Sequence, residues 1–253
     1  MNSFINKLTA KWNQGKFVCV GLDQASFESN QSIIDATADL VCSYKPNSAF
    51  YEAEGIAGWD SLKKTVQYIT QKYPDIATIL DAKRGDIGNT NEAYVKAIFD
   101  DLGFDALTLS PYLGQESLQP FLDRKDKGSI ILVKTSNPGG GEFQDLNIDG
   151  KPLYQVVAEH VVKWNTNENC GVVVGATYPE ELAQVRKIVG DMPILIPGIG
   201  AQDGDLKEIL KNGLNSQKQG LIISSSRGII FAPDPKEATL ALHQQIQEII
   251  KSV

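Results

Sequence analysis

Short apolar runs rich in β-branched residues alternate with longer stretches of helical periodicity from one end of the chain to the other. The short runs have the length and composition of buried strands. They predict strands at residues 17–22, 41–45, 78–83, 106–110, 130–134, 171–175, 194–197 and 221–224. A helix is predicted after each strand, most clearly at residues 88–102, 152–165, 179–189 and 235–250.

Eight strand–helix units in 253 residues predict an α/β fold of the (β/α)8 or TIM barrel type. A doubly wound sheet is the alternative, but it usually has fewer repeats and reverses its strand order midway. Residues 3–13 predict an extra N-terminal helix that closes the bottom of the barrel. The length suits one substantial core, so we expect a single domain over residues 1–253.

Charged and polar side chains gather at the predicted strand ends, where barrel enzymes hold their catalytic groups. They are Asp23 after the first strand, Lys45 and Asn47 at the second, Asp81 and Lys83 at the third, Thr135, Ser136 and Asn137 after the fifth, and Ser225, Ser226 and Arg227 after the eighth. Taken singly, Asp23 or Asn47 is an ordinary turn residue. Their coincidence at one rim predicts a catalytic site there.

The densest chemistry lies in residues 81–90, Asp-Ala-Lys-Arg-Gly-Asp-Ile-Gly-Asn-Thr, where the third strand passes into a helix. Strand alternation places Asp81 and Lys83 on one face, and Asp86 can cap the helix. A purely structural alternative pairs Asp81 with Lys83, leaves Arg84 in solvent and keeps Asp86 as the cap. Buried charge is a poor route to stability, so we favour a functional site.

Two glycine-containing loops, residues 197–204 and 224–229, follow the seventh and eighth strands, where barrels commonly bind phosphate. Glycines let backbone N–H groups approach phosphate oxygens, and Arg227 can clamp those oxygens in a bidentate fashion. The alternative for Arg227 is a surface arginine. The first loop is not a dinucleotide-binding motif, because Asp203 stands where the third glycine belongs. We therefore expect a phosphate monoester as the substrate.

Residues 81–90 resemble the Asp-x-Lys-x-x-Asp-Ile-x-x-Thr signature of the orotidine 5′-phosphate decarboxylase family, in the form typical of its second-type branch. Residues 44–47, residues 135–138 and the two phosphate loops also match, so the similarity covers essentially the whole chain. The resemblance implies a carboxy-lyase that converts orotidine 5′-monophosphate to UMP and CO2 in de novo pyrimidine biosynthesis. It implies no metal and no other cofactor.

Carried over residue by residue, the resemblance implies a catalytic network around the pyrimidine C6 carboxylate, with Lys83 as the proton donor. The network consists of Lys45, Asp81, Lys83 and Asp86. The implied substrate-binding residues are Asp23 and Asn47 for the ribose, Ser136 for the ring, Pro197, Gly198, Gln202, Arg227 and Gly228 at the phosphate end, and Ile87 and Thr90. Asp86, Ile87 and Thr90 would reach the site of a neighbouring subunit, which implies a homodimer with shared active sites.

Two loop segments need separate interpretation. Residues 137–144 contain three consecutive glycines and are expected to form a mobile cover over the base, with a plain solvent loop as the alternative. Asp203 stands where relatives usually have glycine, and we expect its side chain to turn towards solvent.

Composition narrows the range of partners. The net charge of −7 and the absence of a basic run argue against nucleic acid. The N-terminus lacks the apolar core of a signal peptide, and no segment approaches the ~18 apolar residues of a membrane span, so we expect a cytoplasmic protein. Cys19, Cys42 and Cys170 are expected to be reduced core thiols. His160 and His243 fall in predicted helices, away from the strand ends.

Two alternative functions remain open. Magnesium-dependent relatives, the ketogulonate-phosphate decarboxylases and hexulose-phosphate synthases, share the barrel and the Asp-x-Lys-x-x-Asp motif. They present an acidic metal ligand at the end of strand two, where this chain has Lys45. The other alternative is a barrel that binds a nucleotide or sugar phosphate without chemistry. A binding module would gain nothing from a buried acid beside an anionic ligand, so the charged network argues against this alternative.

Overall fold

Eight parallel strands close into a barrel in the computed structural model, which describes residues 3–199 and 205–252. The described residues contain ten strands, eight in the barrel and two outside it. They are β1 (Val18–Gly21), β2 (Val41–Lys45), β3 (Ala77–Arg84), β4 (Ala106–Leu109), β5 (Gly128–Lys134), β6 (Asn147–Ile148), β7 (Lys151–Pro152), β8 (Cys170–Val174), β9 (Ile194–Pro197) and β10 (Leu221–Ser225). The barrel order is β1-β2-β3-β4-β5-β8-β9-β10, and β6 and β7 form a separate antiparallel pair. The predicted (β/α)8 barrel is confirmed.

Helices cover the outside of the barrel. They are α1 (Ser3–Asn13), α2 (Phe27–Thr37), α3 (Ser48–Glu52), α4 (Gly55–Lys72), α5 (Gly88–Val95), α6 (Gly114–Leu122), α7 (Gly141–Gln144), α8 (Leu153–Trp164), α9 (Pro179–Val189), α10 (Leu206–Gly213), α11 (Arg227–Ile230) and α12 (Pro235–Ser252). The predicted helix at 88–102 is α-helical only to Val95 and continues as the π-helical turn Lys96–Asp101. In the described ranges, no helix combines the length and apolarity needed to cross a membrane.

The strands are buried on both faces, which explains why they read as continuous apolar runs in the sequence. Every residue of β1, β2, β4, β8 and β10 is buried. Cys19, Cys42 and Cys170 lie in this core as free thiols, as predicted. Burial raises the pKa of all three, that of Cys170 to about 12, so they are inert core groups.

Helix α1 packs against the N-terminal ends of the strands. Phe4 is fully buried against Gly128 at the start of β5, where an added Cβ would lie 2.3 Å from the Phe4 ring. Trp12 donates its indole N–H to the carbonyl of Leu221, the first residue of β10, at 2.8 Å. The predicted extra helix therefore closes the bottom of the barrel and leaves the C-terminal ends of the strands open.

Two of the strands are irregular near their C-terminal ends. The pairing of β3 with β4 shifts register between Leu80 and Arg84, and the pairing of β5 with β8 shifts between Leu132 and Lys134. Lys83 has a φ of +48°, which is unusual for a residue with a long side chain. The two register shifts and the positive φ of Lys83 occur where the polar residues of the rim begin.

Candidate active site

Asp81 lies between two lysines at the end of β3. Its Oδ2 is 3.0 Å from Lys45 Nζ at the end of β2, and its Oδ1 is 2.7 Å from Lys83 Nζ. The side chain of Lys45 is 5% exposed and that of Asp81 12%, whereas Lys83 is 49% exposed. Lys83 is therefore the accessible cation, and Lys45 is the buried one. Asp81 and Lys83 are therefore in contact, although the strand alternation that predicted a common face is interrupted between Leu80 and Arg84.

The protonation states in this trio follow from its charges. Burial alone would raise the pKa of Asp81, but the Lys45 and Lys83 ammonium groups hold it well below its usual range. Burial would lower the pKa of Lys45, yet the carboxylates of Asp81 and Asp23 raise it. At neutral pH the rim therefore presents an ionised aspartate held by a charged lysine.

Thr108 of β4 supports both the aspartate and the bend in β3. Its hydroxyl donates to Asp81 Oδ1 at 2.9 Å and accepts from the N–H groups of Ala82 and Lys83, each at 3.0 Å. These two N–H groups fall where the ladder between β3 and β4 is broken, so they need a side-chain acceptor. Thr108 was not among the predicted site residues, and its one signal in the sequence is that it is a polar residue inside an apolar strand.

Arg84 links β3 to two helices. Its guanidinium pairs with Glu52 of α3 and lies 5.0 Å from the centre of the Tyr94 ring on α5. The structural alternative that left Arg84 in solvent is therefore wrong. The next residue must be glycine, because a Cβ on Gly85 would lie 2.7 Å from the carbonyl oxygen of Ser110.

Asp86 does not cap α5, contrary to the sequence-based expectation. The helix begins at Gly88 with Ile87 at the N-cap, and Asp86 Oδ1 accepts the Ile87 N–H at 2.7 Å. Among the described residues, no lysine or arginine forms an ion pair with Asp86. The structure thus brings Lys45, Asp81 and Lys83 together but leaves Asp86 of the same chain outside the trio.

A buried amide anchors the segment that contains Asp86. Asn91 is fully buried, accepts the Asp86 N–H and donates to the carbonyls of Asp86 and Ser117. It therefore ties the loop before α5 to α6. The same segment leaves Ile87 61% exposed and Thr90 half-buried. The sequence offered no specific signal for Asn91.

A cavity of about 470 Å³ lies beside Lys45, at the ends of β1, β9 and β10. Its lining includes Asp23, Lys45, Pro197, Gly198, Ser226 and Arg227. Asp23 Oδ1 is buried there and has no hydrogen-bond partner among the described residues, so it can accept a hydrogen bond from a ligand hydroxyl. The cavity therefore combines two cations, Lys45 and Arg227, with a carboxylate.

The described residues include 197–199 of the first phosphate loop and all of the second, 224–229. Gly198 has a φ of +102°, a conformation that favours glycine. Gly228 lies in α11, and among the described residues a Cβ there would make only ordinary contact with Ser225, so none of them requires glycine at this position. Gln202 and Asp203 lie outside the described residues.

A second cavity, of about 410 Å³, holds the reacting end of the candidate site. Its lining includes Asp81, Lys83, Thr108, Ser136 and Asn137, together with Pro197, which also lines the first cavity. The two cavities therefore adjoin at Pro197. This arrangement suits an elongated ligand whose anionic end lies in the first cavity and whose other end lies beside the trio of Lys45, Asp81 and Lys83.

Asn47 has a structural role that is visible without any ligand. Its side-chain oxygen accepts the Ala49 N–H at 3.1 Å and caps α3, and its backbone pairs with that of Asp81. The alternative in which Asn47 is an ordinary turn residue therefore explains only its side-chain oxygen, which caps α3. The backbone pairing places Asn47 directly beside Asp81.

Comparison with known proteins identifies the family. Residues 16–242 match the model described as the "Orotidine 5'-phosphate decarboxylase / HUMPS family". The chain belongs to this family.

Related proteins are similar to almost the whole of this chain. The orotidine 5′-phosphate decarboxylase of Flavobacterium johnsoniae is 49% identical, with 93% of this chain and 94% of the relative covered. The structure of Leishmania donovani OMP decarboxylase superposes with a TM-score of 0.93 at 38% identity, covering 99% of both chains. The Leishmania donovani UMP synthase structure gives a TM-score of 0.95 at 40% identity, but this chain spans only 57% of it.

The family description names two kinds of protein, so the local chemistry of this chain matters. Within residues 3–199 and 205–252, no group of three or more histidine, cysteine or acidic side chains is arranged to hold a metal ion. His160 packs on Trp164 in α8, and His243 lies in α12. The charged side chains that the structure brings together at the rim are those of Lys45, Asp81 and Lys83.

Proposed function

We propose that the chain is an orotidine 5′-phosphate decarboxylase that acts without a metal or other cofactor in de novo pyrimidine biosynthesis. The observation that carries this proposal is Asp81 held between the buried Lys45 and the accessible Lys83. Such a trio suits a substrate whose carboxylate leaves and whose carbon then needs a cation and a proton. The names of the similar proteins support the same activity.

The substrate would lie across the two adjoining cavities. Arg227 and the backbone around Pro197, Gly198 and Gly228 would bind the 5′-phosphate, together with Gln202. Asp23 and Asn47 would take the ribose hydroxyls, and the unpartnered Oδ1 of Asp23 supports this. Ser136 would hydrogen-bond the pyrimidine ring, which would then lie beside Asp81 and Lys83.

Cleavage of the C6–carboxylate bond releases CO2 and leaves the bonding electron pair on C6. The ring cannot delocalise this pair, so an adjacent cation must stabilise it. The Lys83 ammonium would do so and then donate its proton to C6, which forms UMP and a neutral amine that water reprotonates. Lys45 would keep Asp81 ionised and hold it in place.

Repulsion between Asp81 and the substrate carboxylate is too small to be the main effect. At an effective dielectric of 20 and ~4 Å it is worth roughly 4 kcal/mol. The largest enzymatic accelerations correspond to about 20 kcal/mol or more. Most of the barrier reduction must therefore come from preorganised stabilisation of the carbanion and from phosphate-binding energy.

We infer that the active form is a homodimer in which Asp86, Ile87 and Thr90 reach the partner's site. Asp86 has no ion-pair partner among the described residues of its own chain. Large apolar side chains are exposed close to it, namely Ile87, Tyr112 and Leu113 at the starts of the neighbouring helices α5 and α6. Burial of these side chains against a second copy would remove apolar surface from water.

A cytoplasmic location is part of the proposal. The chain has three buried free thiols, Cys19, Cys42 and Cys170, which suits a compartment that keeps cysteines reduced. The names of the similar proteins also point to nucleotide metabolism.

The magnesium-dependent alternative fits this rim less well. Lys45 stands where those relatives present an acidic ligand, and its ammonium lies 3.0 Å from Asp81. A divalent cation at Asp81 would meet two ammonium groups, because Lys83 contacts the other oxygen of the same carboxylate.

The test is the absorbance change of orotidine 5′-monophosphate with purified protein in excess EDTA. We expect rapid conversion to UMP, and Lys83→Ala should lower kcat by about a thousandfold, as expected for loss of an acid that also stabilises charge. UMP affinity should stay within a few-fold of wild type. The matched control, Lys64→Ala, removes an exposed lysine of α4 and should leave turnover unchanged.

Other outcomes identify the alternatives. Activity that disappears in EDTA and returns with magnesium would assign the chain to the metal-dependent relatives. A folded protein that binds UMP but converts nothing would be a binding module. Full turnover by Lys83→Ala would remove Lys83 as the proton donor.

A further inference from the structure

Lys134, the last residue of β5, is a cation whose side chain is completely buried. Its Nζ pairs with Asp145, which follows α7 and is 50% exposed. The ammonium also lies 4.5 Å from the centre of the Tyr178 ring and 5.7 Å from that of Tyr154. The buried charge is thus neutralised by a residue from the segment that follows α7.

The neighbouring residues make a second link in the same place. The N–H of Thr135 donates to Gln144 Oε1 at 2.9 Å, and Gln144 Nε2 donates to Thr135 Oγ1 at 2.8 Å. Two consecutive residues at the end of β5 therefore hold two consecutive residues at the end of α7. We call Lys134, Thr135, Gln144 and Asp145 the clasp. It closes the loop of residues 136–143 at its base.

Core stability does not explain Lys134. A buried ammonium costs several kcal/mol of desolvation, and an apolar side chain of similar length would pack there without that cost. Once buried, however, the ammonium requires its carboxylate, because loss of the partner leaves an uncompensated charge. Lys134 therefore makes opening of the loop at Asp145 energetically unfavourable.

Ser136 is the first residue inside the loop that the clasp closes. Its backbone packs against Gly175 at the end of β8, where an added Cβ would lie 2.7 Å from Ser136 Cα. The Gly175 N–H donates to the carbonyl of Lys134 at 2.8 Å. Ser136 lines the same cavity as Asp81 and Lys83. The clasp thus fixes the base of the segment that presents Ser136 to the cavity.

We propose that Lys134 is a positioning residue, which through its ion pair with Asp145 keeps the loop closed and Ser136 in place for the pyrimidine ring. Lys134 is not among the described residues that line the two cavities, and it would act through Ser136. The inference rests on the proposed function for the ring contact of Ser136. Closure of the loop by the clasp is independent of that function.

A double-mutant cycle tests the route through Ser136. We expect Lys134→Met and Ser136→Ala each to lower kcat/KM by about tenfold, mainly through KM, as for loss of one hydrogen bond to the ring. The double variant should be no worse than Ser136→Ala within about twofold, because the clasp has nothing left to position. Multiplied effects would overturn the proposal.

A control separates positioning from general loss of stability. Ile131→Ala creates a cavity in the fully buried part of β5 and should lower thermal stability with KM unchanged. If Lys134→Met lowers thermal stability but leaves KM unchanged, as Ile131→Ala should, then Lys134 has only a structural role. Asp145→Asn removes the charge of the half-exposed partner and should raise KM as Lys134→Met does. If Lys134→Met fails to fold, Asp145→Asn tests the proposal in its place.

Hydrogen exchange supplies a readout that does not depend on the reaction. In the unliganded protein, amides of residues 136–144 should exchange at least about tenfold faster in Asp145→Asn than in wild type, with other segments unchanged. Unchanged exchange would overturn the clasp even if the enzyme decarboxylates its substrate. Faster exchange in a protein without turnover would instead overturn the proposed function and leave the clasp in place.

Discussion

Single side chains at the rim satisfy groups that the parallel strands leave without partners. Thr108 is the clearest case, since one hydroxyl serves Asp81 and two backbone N–H groups at the bend of β3. The bend itself includes the positive φ of Lys83. Backbone strain of this kind persists where the surroundings hold it, and Thr108 is the neighbour that does so.

Substitution of Thr108 by valine tests this role. Valine keeps the shape of threonine but cannot accept from the N–H groups of Ala82 and Lys83 or donate to Asp81. We expect a loss of about 1–3 kcal/mol in the free energy of unfolding, from urea titration, and a lower kcat. Thr108→Ser keeps the hydroxyl and should retain most of both. Equal behaviour of the two variants would contradict the role assigned to the hydroxyl.

Helices α5 and α6 are held together at the rim by a buried amide rather than by apolar contacts alone. Asn91 lies in the first half of α5, and its side chain connects the loop at Asp86 to the carbonyl of Ser117 in α6. This connection positions the short segment that carries Asp86 and Ile87. The geometry of that segment is therefore set by helix packing.

Replacing Asn91 with alanine should loosen this element. The change leaves the Asp86 N–H and two carbonyls without their partner, and we expect a loss of about 2–4 kcal/mol in unfolding free energy. Asn89→Ala, at an exposed position in the same helix, is the control and should cost less than about 1 kcal/mol. Differential scanning calorimetry measures the loss in unfolding free energy for each of the two variants. Equal losses would mean that the Asn91 amide does not anchor the loop.

At the scale of the whole molecule, barrel closure brings residues from distant parts of the chain to one rim. The sites of the proposed dimer would combine Lys45, Asp81 and Lys83 of one subunit with Asp86 of the other. A dimer of this kind allows complementation between two inactive variants.

We expect Lys83→Ala and Asp86→Ala to be inactive alone and active when mixed, unfolded and refolded together. Half of the dimers would then be mixed, each with one intact site, so activity should recover to about a quarter of wild type. The matched control mixes Lys83→Ala with Asp81→Ala, which remove groups of the same subunit's trio and should restore nothing. Recovery in both mixtures, or in neither, would argue against shared sites.

The sequence alone determined the barrel and much of the site. Strand-length apolar runs alternating with helical periodicity leave few other folds, because parallel strands buried on both faces need covering helices. The strand-end rule then placed Asp81 and Lys83 at the same rim, since both lie at the C-terminal end of one strand. Lys45 joined them because neighbouring strands end at the same rim.

The tertiary structure decided what depends on contacts between distant segments. Asp86 lost its predicted capping role because helix packing, through Asn91, sets where α5 begins. Thr108 and Lys134 looked like ordinary strand residues, since their roles arise from groups 25–27 and 11 positions away. Local patterns carry no information on which backbone groups a bend leaves unpaired or which loop closes over a buried charge. Those depend on where the folded chain places distant residues.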